Sequence, residues 1–380
     1  QAGLEYLVNC KPPESWGADP KFKAGYTHTI SVLIEPGKVA HILTRTLTGW
    51  KRIRGTNLGW FIIDEISDSP PGAFSEMKRR LRCEKSHLKQ GLVAGIPDLP
   101  GDNWTWTEFN PEDPKAKQFY RVTFQSSTEA KHLHRIWDTY LYPMLMTTAP
   151  LQALQEIFAR IVINQTGRVY YAYTDGVNNA DRYAYDPDRP IYLSSDFNIL
   201  SSAPASSVCV QLFDSGQGHY DAQAIDEIVI PHGDTTQVCN EFLTRYGTHR
   251  SEVHFYGDAS GGQSQTVTEY DVAVTVLGPV FGDRLNMPTI THNPLISDRV
   301  AAVNAKLRNA LGIASLFISK KCKELLLDLR KLMPDPKKEG KIDKSDNARS
   351  HTSDALGYLL RFLFPPFDTG TSRRSIKANY

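Results

Sequence analysis

Residues 190–197 of this chain read PIYLSSDF, and this stretch decides the fold of the second half of the sequence. It has the length and composition of a β-strand, and it ends on the acidic side chain of Asp196. Two more strands are predicted at 207–214 and 220–230, a helix at about 234–246 and a fourth strand at 252–256. Three strands followed by alternating helices and strands are typical of an α/β domain with a mixed sheet.

Acidic residues stand at the ends of two of these strands and on a later helix. Asp196 ends the first strand, Asp258 follows the fourth, and Asp354 lies in the first turn of a helix predicted at 353–364. If the first strand lies beside the fourth, their terminal carboxylates converge, and a facing helix can add a third. Such a trio can hold two divalent cations about 3.5–4 Å apart and cut phosphodiesters. The alternative for each aspartate alone is that it only ends a strand or caps a helix.

Neighbouring residues bear on this candidate catalytic and metal-binding site. Gly257 and the pair at 261–262 leave room for close approach of the backbone. Thr352 or Ser353 is expected to cap the helix that carries Asp354. His351 is expected at the surface or behind the acids rather than on a metal ion.

The first half of the chain contains a second acidic pair after a short apolar run. Residues 59–63 read GWFII and precede Asp64-Glu65, which is typical of a buried strand in a parallel sheet. The other predicted elements are a hairpin at 28–40, a helix at 73–83, a strand at 91–97, a loop at 98–114, a strand at 119–124 and a helix at 150–160. Four aromatic residues are expected in a core rather than stacked on bases: Trp104, Trp106, Phe109 and Tyr120.

Taken together, these motifs resemble the large terminase subunit of tailed bacteriophages, the DNA-packaging motor. Residues 52–65 resemble the approach to its Walker B strand, and residues 91–97 resemble its coupling motif. Its three nuclease motifs are matched by residues 192–197, 255–259 and 351–358. The resemblance implies an α/β chain with a partial ASCE-type ATPase-like domain at 1–168 and an RNase H-like nuclease domain with a mixed sheet at 190–366. Between them a linker is predicted at 169–189, and a flexible tail at 367–380.

The resemblance implies a metal-dependent endonuclease that cuts concatemeric double-stranded DNA during viral DNA packaging. Asp196, Asp258 and Asp354 would bind two Mg²⁺ or Mn²⁺ ions. In the ATPase-like half, Asp64 would hold the Mg²⁺ of ATP and Glu65 would position the attacking water. The phosphate-binding sequence Gly-x-x-x-x-Gly-Lys-Ser/Thr is absent, so ATP hydrolysis by this chain is not expected. Either an N-terminal segment that carries it is missing, or this half serves as a scaffold.

The implied partners are double-stranded DNA, a portal protein and a small terminase subunit, with a ring of copies on the portal in the host cytoplasm. The net charge is +1, so DNA must be held by a local patch rather than by the charge of the whole chain. Basic residues concentrate between 299 and 349, although such a run is also typical of a solvated face. The candidate DNA-binding residues are Lys306, Arg308, Lys320, Lys321, Lys337, Lys338, Lys341 and Lys344.

Composition excludes several classes of protein. The five cysteines are scattered and form no Cys-x-x-Cys pair, which argues against a zinc site and a disulfide framework and favours a reducing compartment. No apolar run approaches about 18 residues, so no transmembrane helix is predicted. Two functions compete with the packaging nuclease: a non-catalytic DNA-gripping or scaffold module, and a resolvase- or transposase-type nuclease of the RNase H-like class. The latter shares the carboxylates but does not require the strand that precedes Asp64.

Overall fold

The chain divides into two compact units, Gln1–Phe124 and Gln125–Tyr380, each of which is described by itself. Among the residues described, no helix is both long enough and apolar enough to cross a membrane. The computed structural model describes residues 28–35, 38–44, 47–87, 89–96, 104–110, 113–130, 133–160, 167–197, 203–216, 218–259, 267–288, 290, 292–335, 341–343 and 349–365.

The first unit contains an antiparallel hairpin and a pair of parallel strands. Its strands are β1 (His28–Glu35), β2 (Lys38–Thr44), β3 (Trp60–Ile63) and β4 (Gln90–Val93). β1 pairs with β2 in the predicted hairpin, and β3 pairs with β4 in parallel. The helices are α1 (Pro71–Arg80), α2 (Trp104–Phe109) and α3 (Pro114–Phe119), with short 3₁₀ helices at Leu47–Ile53 and Ile66–Asp68.

A cluster of aromatic rings around Phe74 forms the core of this unit. Trp104, Phe109 and Tyr120 lie with their ring centroids 5.9, 5.1 and 6.1 Å from that of Phe74, so the core-packing prediction is confirmed for these three. The side chain of Trp106 lies outside the described part. The segment predicted as a loop at 98–114 contains helix α2, which carries Trp104 and Phe109. The strand predicted at 119–124 is wrong, since α3 ends at Phe119 and irregular backbone follows.

Strand β3 is buried on one side only, which corrects the prediction of a fully buried strand. Phe61 and Ile63 are buried, whereas Trp60 and Ile62 are 47% and 58% exposed. Side chains alternate along a strand, so an unbroken apolar sequence does not by itself require cover on both faces.

A six-stranded mixed sheet is the centre of the second unit. Its strands are β5 (Ile191–Asp196), β6 (Ala205–Gly216), β7 (His219–Ile230), β8 (Val253–Gly257), β9 (Leu285–Asn286) and β10 (Leu316–Ile318). They lie in the order β10-β7-β6-β5-β8-β9. β6 is antiparallel to β5 and β7, and the other neighbouring strands run in parallel. The predicted neighbourhood of the first and fourth strands is therefore confirmed.

Helices cover both faces of this sheet because the strands are apolar on both sides. Cys209 faces one core, with α7 (Thr235–Tyr246) and α8 (Glu269–Phe281). Val208 and Val210 face the other core, with α9 (Ile296–Leu307), α10 (Lys323–Lys331) and α11 (His351–Leu363).

Short helical segments precede this sheet. They are a 3₁₀ turn at Ser127–Glu129, helix α4 (Leu133–Ile136), a π-helical turn at Trp137–Leu141, helix α5 (Tyr142–Thr147) and helix α6 (Pro150–Glu156), and a further 3₁₀ turn at Gly282–Arg284 follows α8.

The segment at 169–189, predicted as a linker, packs into the core of the second unit. Tyr170 is 2% exposed, and the backbone N–H of Ala172 donates to Oδ1 of Asn304 on α9 at 3.0 Å. Asn178 is fully buried, and its amide donates to the carbonyls of Leu307 and Leu316. The side chains of Asn178 and Asn304 hold this segment in place through buried hydrogen bonds. Its sequence therefore shows little of the apolar periodicity that marks a packed helix or strand. The predicted tail at 367–380 lies outside the described residues.

Candidate active site

The first two predicted acids come together at one edge of the sheet. β5 and β8 pair in parallel with Ser195 opposite Gly257. Asp196 and Asp258 each follow directly after this last pair, so the two acids lie at the same edge of the sheet. The side chain of Asp196 is 11% exposed and Asp258 as a residue is 8% exposed, so both carboxylates lie at a largely sheltered edge.

Gly257 is required by the packing at this edge. A Cβ atom added to it would lie 2.1 Å from the ring of Phe197, the residue that follows Asp196. The Gly257 position therefore admits the Phe197 ring where a larger residue would exclude it. Residues 261–262, predicted to assist in the same way, lie outside the described residues.

We expect Gly257→Ala to lower the free energy of unfolding by about 1–3 kcal/mol, because the ring of Phe197 must move. Chemical denaturation followed by circular dichroism measures this change. Gly278→Ala in α8 is the matched control: the added Cβ would meet only Val274, at 4.0 Å, and alanine favours a helix by up to about 1 kcal/mol over glycine. Equal stability of the two variants would contradict the packing role of Gly257.

The first turn of α11 lies against the end of β5. The hydroxyl of Ser194 donates to the carbonyl oxygen of Ala355 at 2.7 Å, which ties strand to helix. Nδ1 of His351 lies 2.9 Å from Oδ2 of Asp196, and His351 is 9% exposed. His351 is therefore in direct contact with a predicted catalytic residue.

Asp354 is held by two side chains. Nη1 of Arg299 donates to its Oδ1 at 2.9 Å, and the hydroxyl of Ser350 donates to its Oδ2 at 3.2 Å. Arg299 and Asp354 are both buried, with residue exposures of 7% and 5%. A buried carboxylate needs such a partner, because an unpaired charge in the interior is strongly unfavourable.

The pKa of the Tyr358 hydroxyl responds to all three acids. Burial raises the pKa of its hydroxyl, the positive charge of Arg299 lowers it, and the negative charges of Asp196, Asp258 and Asp354 each raise it further. The guanidinium of Arg299 also lies 4.2 Å from the centre of the Tyr358 ring. The three carboxylates thus lie close enough to act on one side chain.

The described residues contain no group of three or more His, Cys, Asp or Glu side chains arranged to hold a metal ion. Asp196 contacts His351, and both oxygens of Asp354 are engaged. The donor set nevertheless suits a hard divalent cation, since adjacent carboxylate oxygens at a sheltered sheet edge are the ligands that Mg²⁺ and Mn²⁺ prefer.

Helix α11 begins differently from the prediction. Its N-cap residue is Ser350, which has φ 76° and makes no capping bond with its side chain. Thr352 and Ser353, the predicted caps, instead donate to the carboxylate of Asp328 on α10. Asp328 is 2% exposed, and no motif in the sequence marked it.

The predicted Walker B-like pair lies at the carboxyl end of β3, where both Asp64 and Glu65 are exposed. Glu65 adopts the left-handed conformation, with φ 49° and ψ 56°, and its N–H donates to Oδ1 of Asp64 at 3.2 Å. The backbone of Ala94, in the predicted coupling motif, bonds to the residues on either side of the pair: its N–H donates to the Ile63 carbonyl, and its carbonyl accepts from the Ile66 N–H.

The candidate DNA-binding residues differ in their exposure to solvent. Lys306 donates from Nζ to the carbonyl oxygen of Tyr220 at 2.9 Å and lies 3.5 Å from the centre of the Phe364 ring. Burial lowers the pKa of Lys306 to about 8, and its ammonium group is occupied by the Tyr220 carbonyl and the Phe364 ring. Exposed candidates are Arg308, Lys320, Lys321 and Lys341, while Lys337, Lys338 and Lys344 lie outside the described residues.

Solved structures of a bacteriophage large terminase resemble this chain in fold. No protein-family model and no curated protein sequence matches the chain. The structure of the large terminase from a thermophilic bacteriophage is similar, with 13% identity and a TM-score of 0.51 over 90% of this chain and 80% of that one. The same terminase in complex with ATP-gamma-S gives 14% identity, a TM-score of 0.50 and the same coverage. On this similarity the chain has the fold of a bacteriophage large terminase.

Proposed function

We propose that this chain is a metal-dependent endonuclease that cuts double-stranded DNA during the packaging of a viral genome. The observation that carries the proposal is the placement of Asp196 and Asp258 side by side at the ends of parallel strands. His351, from the first turn of α11, bonds to Asp196, and Asp354 follows it one turn later. Two strand-end carboxylates and a third from a facing helix form the donor set of a two-metal nuclease.

In this proposal Asp196 and Asp258 hold the divalent cations, Mg²⁺ or Mn²⁺, and Asp354 completes the set. The cations would supply a water molecule of lowered pKa and stabilise charge on the leaving oxygen. His351 fixes the orientation of the Asp196 carboxylate through its Nδ1 contact. Arg299 neutralises Asp354 when no cation is present, so a cation that recruits Asp354 must compete with this ion pair.

The first unit belongs to the same proposal as an ATPase-like part. Asp64 and Glu65 stand exposed at the end of a parallel strand, where an ATPase of this class binds Mg²⁺ and positions water. ATP binding would require a segment with the phosphate-binding sequence, which residues 1–380 do not contain, so it is not proposed for these residues alone. Assembly with a portal protein and a small terminase subunit is proposed on the basis of the fold. Exposed Arg308, Lys320 and Lys321 are the proposed phosphate contacts.

The test is cleavage of supercoiled plasmid DNA by the purified chain. With Mn²⁺ or Mg²⁺ we expect conversion to nicked and linear forms, and removal of the metal with EDTA should lower the rate by at least about 100-fold. Restoring Mn²⁺ to the EDTA-treated sample should restore cleavage, which controls for damage to the protein. Intact plasmid at every metal concentration would contradict the proposal.

A second candidate is a DNA-gripping module whose acids are not catalytic. The engagement of both oxygens of Asp354 by Arg299 and Ser350 favours it, since a paired carboxylate is less available to a cation. A mobility-shift assay on the same samples separates the two functions. Retardation of DNA without cleavage at saturating Mn²⁺ would favour the gripping module.

A further inference from the structure

Asp328 lies on α10, and its carboxylate bonds to the beginning of α11. Its Oδ1 accepts from the backbone N–H of Ser350 at 3.3 Å. Its Oδ2 accepts from the N–H of Ser353 at 3.2 Å and from the hydroxyl of Thr352 at 2.7 Å. The three donors all lie at the start of α11, and Asp328 is 22 to 25 residues away in sequence.

Helix α11 does not cap itself. The first N–H groups of a helix have no partner within it, and the side chain of the N-cap residue usually accepts from one of them. Ser350 holds the N-cap position, but its hydroxyl donates to Oδ2 of Asp354. Asp328 on α10 therefore accepts from the first N–H groups of α11 in place of the Ser350 side chain. The Ser350 hydroxyl instead holds Asp354.

The turn held by Asp328 carries two residues of the proposed active site. His351 reaches Asp196 from it, and Asp354 lies three residues later on the same side of the helix. A helix end that lacks its cap frays, and fraying here would displace both residues. We infer that Asp328 is a positioning residue, which fixes the first turn of α11 so that His351 and Asp354 remain at the carboxyl edge of β5 and β8. The inference rests on the proposed nuclease function.

The surroundings of Asp328 suit a structural acceptor rather than a second catalytic group. Burial raises its pKa, while the hydrogen bonds from Thr352, Ser350 and Ser353 and the charge of Arg349 act in the opposite direction. All of these contacts point to the start of α11. Loss of Asp328 removes the acceptor of three donors at one time.

The test compares Asp328→Ala with Asp234→Ala, which removes a helix cap at a distance from the site. Asp234 caps α7 by accepting from the Gln237 N–H at 2.8 Å, and α7 packs in the other core of the sheet. The first measurement is amide hydrogen exchange of the metal-free protein. In Asp328→Ala we expect exchange at Ser350 and Ser353 to accelerate at least about 10-fold, with the last turns of α11 unchanged.

The second measurement is the dependence of plasmid cleavage on Mn²⁺ concentration. Asp328→Ala should need about 10- to 100-fold more Mn²⁺ for half-maximal cleavage, which is typical of losing a residue that orients metal ligands. Asp234→Ala should keep the wild-type dependence, although it loses about 1 kcal/mol of stability. Uniform exchange along α11, or an unchanged Mn²⁺ dependence, overturns the inference.

Thr352→Val keeps the inference testable if Asp328→Ala does not fold. It removes one of the three donors at nearly constant volume and should raise the half-maximal Mn²⁺ concentration by about 2- to 5-fold. A wild-type value in a folded Thr352→Val protein then overturns the inference. Asp196→Asn, assayed in parallel, separates the two failures: full cleavage by this variant, or none by the wild type, overturns the proposed function and the inference with it.

Discussion

Asp196→Asn is expected to lower Mn²⁺-dependent DNA cleavage by at least about 1000-fold while leaving the protein folded. Asparagine has nearly the same shape, and its amide oxygen can still accept from Nδ1 of His351. It removes the negative charge beside Asp258, which is what a divalent cation requires at this edge of the sheet. Single-turnover cleavage at saturating Mn²⁺ measures the loss of activity, and circular dichroism verifies the fold.

Asp214→Asn is the matched control for this variant. Asp214 is an exposed residue of β6, whereas Asp196 pairs with Ser206 at the other end of the same strand. Ser206, the partner of Asp196, and Asp214 are eight residues apart along β6, which corresponds to about 26 Å. We expect Asp214→Asn to cleave like the wild type. A folded Asp196→Asn protein with wild-type activity would exclude this site as the nuclease centre.

Arg299→Met is expected to lower the free energy of unfolding by about 3–5 kcal/mol in metal-free buffer. Methionine fills much of the same volume but removes the guanidinium group that donates to Oδ1 of the buried Asp354 carboxylate. Removing one partner of a buried ion pair costs more than the pair itself contributes, because the other charge stays in the interior. Denaturant unfolding in EDTA measures the difference.

An exposed ion pair provides the control for Arg299. Arg250 pairs with Asp188, and their side chains are 63% and 62% exposed. Arg250→Met should therefore cost less than about 1 kcal/mol. The double variant Arg299→Met with Asp354→Asn should recover a large part of the lost stability, because it removes the unpaired charge. If Arg299→Met and Arg250→Met lowered the free energy of unfolding equally, the buried ion pair would contribute no more to stability than the exposed one.

Local sequence patterns predicted the second unit well. The strands predicted at 190–197, 207–214 and 220–230 and the helix predicted at 234–246 follow from residues that lie close together in sequence. The same holds for Asp258, because an acid that follows a strand is visible in the sequence whatever the strand pairs with. The fold of a large terminase subunit, inferred from these motifs, is confirmed by the structural similarity.

Two of the predictions that differ from the structure share a cause. Residues 169–189 look like a linker until Asn304 supplies hydrogen bonds to them from α9. Lys306 looks like a phosphate contact until the ring of Phe364 covers its ammonium group. In each case the deciding partner comes from a distant part of the sequence, so a local pattern contains no sign of it.

Sequence patterns alone predicted most strands and helices of the second unit, and they placed acids at the ends of two strands and on the last helix. Periodicity and turn chemistry are local properties, so they can be read one segment at a time. Two other contacts became visible only in the tertiary structure: Arg299 neutralises Asp354, and Asp328 caps α11. These contacts depend on strand register and helix packing, which are fixed by the burial of apolar surface across the whole unit.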